Sequence, residues 1–469
     1  MKLFFLLLNK HIRNKFIFKK QFLLGLVLSS LLLSPITTYA TNKSDIMHID
    51  PIQKSQQRVL SSKTFDPFTF VGATTAWSSY ESEKEIIVAV IDTGIDISHE
   101  DLASNIWTNT LEIPGNGIDD DGNGYVDDQN GWNFYDNSPI LCSYNEKGTS
   151  NSANNDDHGT HVAGIIGAIG NNGVGINGVA SNVQVKIMPL KVTGGTNGTG
   201  RTSSLIKAIQ YASNMGASIC NISLNTSTYN EELYLTMLKS NMLFVCSAGN
   251  QKTNGVNIDE IPTYPASFSL PNIISVSALD THGQLASYSN YGNDSVEIAA
   301  PGSSIYSTLV GNTYGRFTGT SMATPFVSGA SAMLMTLNSK YYPSEIKQIL
   351  VESSTPISSL QGKVVSSGAL NITNALSLLE TGVHEKDITA PKLKLSKVNG
   401  QISIQVSDKQ SGVKSLLYLK GNRSKTAFKK GQLGTDVTAL TLDLEQGTYT
   451  FYCSDWAGND VIKTITMSR

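Results

Sequence analysis

The chain has 469 residues, a formal net charge of −3, 16% charged residues and four cysteines. That length accommodates more than one domain, or one large domain with an appendage, and a near-neutral balance with no basic block after the N-terminus argues against nucleic acid as a partner. Cys142, Cys220, Cys246 and Cys453 are far apart and contain no CxxC pair, which excludes a thiolate metal centre and a disulfide-stapled scaffold.

Residues 1–40 read as a signal peptide. Lys2, Lys10, Arg13, Lys15, Lys19 and Lys20 precede an apolar run from Phe22 to Leu33, and Thr38-Tyr39-Ala40 forms a small-residue exit. A retained anchor is the competing reading, but Ser29, Ser30 and Ser34 interrupt the run. The expectation is a secreted, extracellular protein with no permanent membrane anchor. Residues 41–62 are polar and patternless, a short pro-segment or an extended arm.

Ile86 to Ile91 is an apolar, mostly β-branched run of the kind that fills the middle of a parallel sheet, and it ends in Asp92-Thr93-Gly94. Open α/β sheets place working residues at such strand ends, although an aspartate before glycine is equally a turn former. In the acidic stretch 115–131, Asp119, Asp121 and Asn123 alternate before Gly124, with Asp127 beyond. This resembles the opening of an EF-hand loop, but Asn130 stands where that loop needs a glutamate. Bound Ca2+ and a solvated acidic turn are both open here.

His158-Gly159-Thr160-His161 leads into a glycine-punctuated apolar helix, and the absence of HExxH argues for a base rather than a zinc pair. The Gly- and Asn-rich loop from Asn171 to Asn177 has carbonyls to offer. Strands and helices then alternate: strand Val183–Met188, helix Ser203–Met215, strand Ala217–Leu224, helix Glu231–Lys239, strands Met242–Ser247 and Ile273–Ser277. Asn250 follows a strand end, as a turn residue or as an amide donor to developing charge. Ser321, behind Gly319-Thr320, opens a small-residue helix running through Leu337, where a serine is either a plain cap or a nucleophile at a helix N-terminus. A last helix spans Pro343 to Ser353. After a polar linker at 381–391, residues 392–469 show short alternating runs that predict a small β-sandwich.

Asp92, His158, Ser321 and Asn250 each begin or end an element on one expected rim. Serine attacks a carbonyl only when an imidazole takes its proton, and a carboxylate fixes that imidazole's tautomer. Asp before His before Ser is one of the known chain orders for this solution.

The segments Val90-Ile91-Asp92-Thr93-Gly94, His158-Gly159-Thr160-His161-Val162-Ala163-Gly164 and Gly319-Thr320-Ser321-Met322-Ala323-Thr324-Pro325 resemble the three signatures of the subtilisin-like serine proteases, with the likeness covering residues 63–380. The resemblance implies an α/β fold with a mostly parallel central sheet and flanking helices, beside the small all-β C-terminal domain. It implies that Asp92 orients, His158 is base then acid, Ser321 is the nucleophile, and Asn250 with the Ser321 amide forms an oxyanion hole, while His161 packs. It further implies that Asn197, Gly198, Thr199 and Gly200 pair with a peptide substrate, and that Ser223, Leu224 and Asn225 face Ala248 and Gly249 across the pocket. A Ca2+ site would take Asp101, Asn172 and the carbonyls of Val174 and Ile176. The expected species is a monomer acting on protein or peptide.

Two departures stand out. The family's secreted members carry a folded pro-domain far longer than residues 41–62, and Asn225 stands where many relatives have a pocket-widening glycine. Both favour a dedicated processing protease, such as one trimming an exported peptide, over a broad degradative enzyme. A binding protein on an inactive protease fold is the remaining alternative.

Overall fold

In a computed structural model, residues 45–49, 65–143, 156–195, 198–382, 384–429 and 434–468 are described. The expected signal peptide, most of the 41–62 arm and Asn197 therefore lie outside the described residues.

The described residues begin with β1 (Ile46–Ile49), α1 (Pro67–Phe70), α2 (Ala73–Ser79), β2 (Ser82–Asp92), β3 (Trp132–Asn133) and α3 (Asp157–Gly167). It continues through β4 (Val183–Lys191), β5 (Thr193–Gly194), β6 (Thr199–Arg201), α4 (Thr202–Asn214), β7 (Ile219–Ile222), β8 (Leu224–Asn225), α5 (Glu231–Leu238), β9 (Leu243–Ser247) and β10 (Ile273–Leu279). The α/β region closes with β11 (Ile298–Pro301), β12 (Ile305–Leu309), β13 (Thr313–Phe317), α6 (Thr320–Leu337), α7 (Pro343–Glu352), β14 (Thr355–Pro356), β15 (Gly368–Ala369) and α8 (Ile372–Thr381).

Among the described residues the main sheet has nine strands in the order β14-β15-β11-β10-β9-β7-β2-β4-β3. All its pairings are parallel except β14 with β15. β2 lies between β4 and β7 with Val88 to Ile91 fully buried, which explains why that run is apolar on both faces. One face packs on Val162, Ile165 and Ile166 of α3 and on Met322, Phe326 and Val327 of α6, the other on Leu205, Ile209 and Ala212 of α4. Strand polarity thus carries Asp92, Ser247 and Leu279 to one rim, where α3 and α6 begin.

The predicted strand 217–224 is cut in two. β7 stays in the main sheet, Ser223 leaves it, and β8 joins a second sheet of order β5-β6-β1-β8. That second sheet is the main surprise. Residues 46–49, expected as patternless arm, form its β1 strand, antiparallel to β6 through Ile46–Arg201, Met47–Gly200 and His48–Thr199, and to β8 through His48–Asn225 and Ile49–Leu224.

The C-terminal region forms two antiparallel sheets, one of Lys392–Val398, Gln401–Ser407 and Thr441–Leu442, the other of Thr435–Asp436, Val413–Lys420, Gly447–Asp455 and Asp460–Met467. Ile402 and Ile404 alternate inward as period two predicts, whereas the strand carrying Phe451 is buried continuously from Tyr449 to Asp455. Among the described residues no helix is long and apolar enough to cross a membrane, and all four cysteines are free thiols.

Candidate active site

Asp92 closes β2 and is buried, and its Oδ1 accepts from the Thr93 amide at 2.7 Å and from His158 Nδ1 at 2.6 Å. His158 stands in the first turn of α3, pressed against the Asp92 turn because Gly159 has no side chain: a Cβ there would sit 2.2 Å from the Gly94 carbonyl and 3.2 Å from the Asp92 side chain. The Gly159 amide donates to Thr93 Oγ1 at 3.0 Å. With Nδ1 donating to a carboxylate, the neutral ring keeps Nε2 as a basic lone pair.

Ser321 is the second residue of α6 and is buried. Pro325, four residues on, has no N–H to give to the Ser321 carbonyl, so that oxygen takes the Ser223 hydroxyl at 3.2 Å instead. In return Ser321 Oγ donates to the Ser223 carbonyl at 3.3 Å. The Ser321–His158 hydrogen bond is unmade in this arrangement: His158 Nε2 is buried without a partner. Asn250 is held by its oxygen, which accepts from the Thr320 amide at 2.9 Å, leaving Nδ2 buried and unpaired 2.9 Å from the position a Gly319 Cβ would take. Asp92 Oδ2 is likewise unpaired. An unsatisfied buried polar atom costs about 1–3 kcal/mol, so their gathering at one rim marks a place organised for a partner that is not part of the fold.

His161 lies elsewhere in the core. Its Nε2 donates to the Ile305 carbonyl at 2.9 Å, its ring stacks on Phe317 at 4.6 Å, and burial pushes its pKa down to about 3, so it is neutral packing.

Beside the serine, Gly198, Thr199 and Gly200 form one edge and Ser223, Leu224 and Asn225 the other, but the lane between them holds β1. The Ile49 amide donates to the Gly198 carbonyl at 3.2 Å; Met47 is 0% and Ile49 8% exposed, while Ile46 and His48 face outward. Asn225 reaches across towards Gly249, its Nδ2 3.3 Å from the point a Gly249 Cβ would occupy. Ala248 is fixed behind, its carbonyl accepting from Asn290 Nδ2 at 3.0 Å.

The candidate cation ligands divide. Oxygens of Asp119 and Asp121 come within 4.8 Å of each other and of Glu112, a residue outside the EF-hand-like spacing. Asn123 instead turns its amide nitrogen to Asp121 and Asp128, and Asp127 caps the amides of Asn116 and Gly117. The Glu112-Asp119-Asp121 set is all oxygen and suits a hard divalent cation. Around Asp101 the fit is poorer. Asn172 Nδ2 donates to its carboxylate at 2.8 Å, the Ile176 amide donates to it at 3.0 Å, and the Val174 amide donates to Asn172 Oδ1, so the side-chain oxygens expected as ligands there are engaged in hydrogen bonds within the loop. Asp387, Asp408 and Asp455 form a second group able to hold a cation, which sequence reading missed because the three are far apart in the chain.

The model of the subtilase family matches residues 83–386. The chain is 33% identical to the major intracellular serine protease of Bacillus subtilis over 281 residues, 59% of this chain and 77% of that protein. It is 38% identical to a thermostable alkaline protease of Halalkalibacterium halodurans over 208 residues, 44% of this chain and 54% of that one. It is 32% identical to subtilisin-like protease 2 of Plasmodium falciparum over 304 residues, 62% of this chain but only 20% of that relative's length. From a family match covering most of its length, and a rim that joins all three signature segments, this chain belongs to the subtilase family.

Proposed function

We propose that this protein is a serine endopeptidase that cleaves peptide bonds through an acyl-enzyme, with Asp92, His158 and Ser321 as its triad. The observation that carries the reading is the buried 2.6 Å Asp92–His158 bond on the rim where α6 presents Ser321. The Ser321 hydroxyl swings from the Ser223 carbonyl to His158 Nε2, gives up its proton there and attacks the scissile carbonyl. Asn250 Nδ2 and the Ser321 amide receive the oxyanion. His158 then protonates the leaving amine, and water repeats the sequence to release the acid, with Asp92 holding the imidazolium throughout. Asn250 Nδ2 is a donor already desolvated and oriented, so it reorganises little as charge develops.

A peptide substrate enters as an antiparallel strand between β6 and β8, the place β1 takes in the full chain. The protein is therefore latent until residues 46–49 leave. Asn225 across the pocket favours the narrower of the two protease readings, a processing enzyme rather than a broad one. Export rests on residues 1–40 alone, since the name of the Bacillus subtilis relative describes an intracellular protein. Calcium, where bound, is held by Glu112, Asp119 and Asp121 and neutralises a crowded acidic loop.

The test is hydrolysis of peptide amides by chain freed of its arm. Ser321→Ala and His158→Ala should each lower kcat by about a million-fold, the scale of losing a triad member. Activity that survives both substitutions assigns the chemistry elsewhere.

A further inference from the structure

Lys191, the last residue of β4, is among the largest fully buried side chains of the molecule. Its ammonium donates to the carbonyl oxygen of Thr93 and to Asp156 Oδ1, the latter at 2.5 Å. Thr93 is the residue after Asp92, and Asp156 lies two before His158. One buried cation thus ties together the two loops that deliver the two halves of the Asp–His pair. The other Asp156 oxygen accepts from the Ser143 amide at 2.8 Å, and the Asp156 carbonyl takes the Thr160 amide at 3.2 Å and Thr160 Oγ1 at 2.9 Å, so Asp156 is itself locked to the first turn of α3. The Asp92 side is anchored too, since Ile95 donates to the Leu141 carbonyl and Val192, next to Lys191, donates to the Asp92 carbonyl.

We infer that Lys191 and Asp156 are positioning residues, a buried ion pair that sets the distance and angle between Asp92 and His158; the inference rests on the triad assigned above. A buried pair of this type contributes little to stability compared with two well-packed apolar side chains. What an ammonium offers that a methyl cannot is directional donors aimed at once at a carbonyl and a carboxylate from different parts of the chain. Burial pushes the Asp156 carboxyl upward and the Lys191 charge opposes that, so the carboxylate depends on the lysine to stay ionised. Near-attack geometry tolerates small errors poorly, and a displacement of about 1 Å is worth on the order of 100-fold in rate.

The experiment separates positioning from stability. Lys191→Met leaves Asp156 buried and uncompensated, so it should lose both melting temperature and kcat. The double variant Lys191→Met/Asp156→Leu removes both charges. It should regain most of the melting temperature while kcat stays about 10- to 100-fold low with KM within about threefold of the parent. In parallel, the far-downfield proton of the Asp92–His158 hydrogen bond is followed by NMR in Ser321→Ala, with and without the double change, and should shift or broaden away when the pair is removed. A folded double variant with kcat within about threefold of the parent and an unmoved resonance overturns the inference. If the parent shows that resonance but hydrolyses nothing, the protease reading has failed, and the resonance alone decides the role of the pair.

Discussion

Displacing the N-terminal arm is the perturbation whose outcome is most open to calculation. Met47 is 0% exposed opposite Gly200, and Ile49 is 8% exposed opposite Leu224. Burying a methionine or isoleucine side chain contributes about 1.5–3 kcal/mol each, and each ladder hydrogen bond about 0.5–1.5 kcal/mol. Ordering four residues costs about 1–2 kcal/mol apiece. The arm is therefore held by a margin of a few kcal/mol, so one substitution suffices to release it. Met47→Asp removes that side chain's burial term and would place a carboxylate in an apolar site. At about 1.4 kcal/mol per factor of ten, the apparent KM for a peptide amide should fall by about 10- to 100-fold with kcat little changed. His48→Asp, at an outward-facing position of the same strand, serves as the control and should leave KM within about twofold. The assay is initial-rate hydrolysis by the full chain, with mass spectrometry confirming that residues 46–49 are still attached. A free peptide spanning residues 46–49 should compete with substrate in the Met47→Asp form. Equal kinetics for parent, Met47→Asp and His48→Asp would refute the assignment of the lane to the arm.

Asn225→Gly should raise kcat/KM for substrates with Phe or Tyr before the cut by about 5- to 100-fold while leaving small side chains little changed, since removing a polar side chain opposite Gly249 both widens and dries the pocket; a matched peptide series that gains equally for every side chain contradicts this. Burial holds the His161 pKa at about 3 against 6.5 when unfolded. The unfolded chain thus binds the extra proton first, and the stability due to neutral His161 is complete above pH 6.5 and lost progressively as pH falls towards 3, by about 2 kcal/mol at pH 5. His161→Gln should flatten that acid limb in denaturant titrations from pH 7 to 4. Chelation should lower the melting temperature of Ser321→Ala, and Glu112→Gln should reduce the response more than Asp127→Asn does, as read by calorimetry with and without added Ca2+.

The central strand and the helix starts were legible because burial on both faces of a parallel sheet demands a continuous apolar run, and because strand polarity then sends Asp92 and Asn250 to one rim. The serine, histidine and aspartate segments could be read one by one, since each ends or begins an element. What a linear reading missed depends on pairing between distant segments. Ile46-Met47-His48-Ile49 is too short to declare itself a strand, and only the open edges of β6 and β8 make it one. Ser223 falls inside an apolar run, and nothing local shows that its carbonyl must leave the sheet to meet Ser321. Regular spacing suggested Asn123 and Asp127 as ligands, whereas the fold brings Glu112 from upstream and spends Asp127 on the amides of Asn116 and Gly117. Lys191 lies beyond the strand predicted over Val183–Met188 and carries no local signal of burial, which depends on where the distant Asp156 lands.

The most direct test of the account is covalent capture of the nucleophile. The Met47→Asp chain is treated with an organophosphonate, digested, and the adduct mapped by mass spectrometry. The account predicts a single modified residue, Ser321, with labelling abolished in Ser321→Ala and in His158→Ala and strongly slowed in Asn250→Ala. A folded sample with no adduct, or an adduct on another serine that persists in Ser321→Ala, would contradict it.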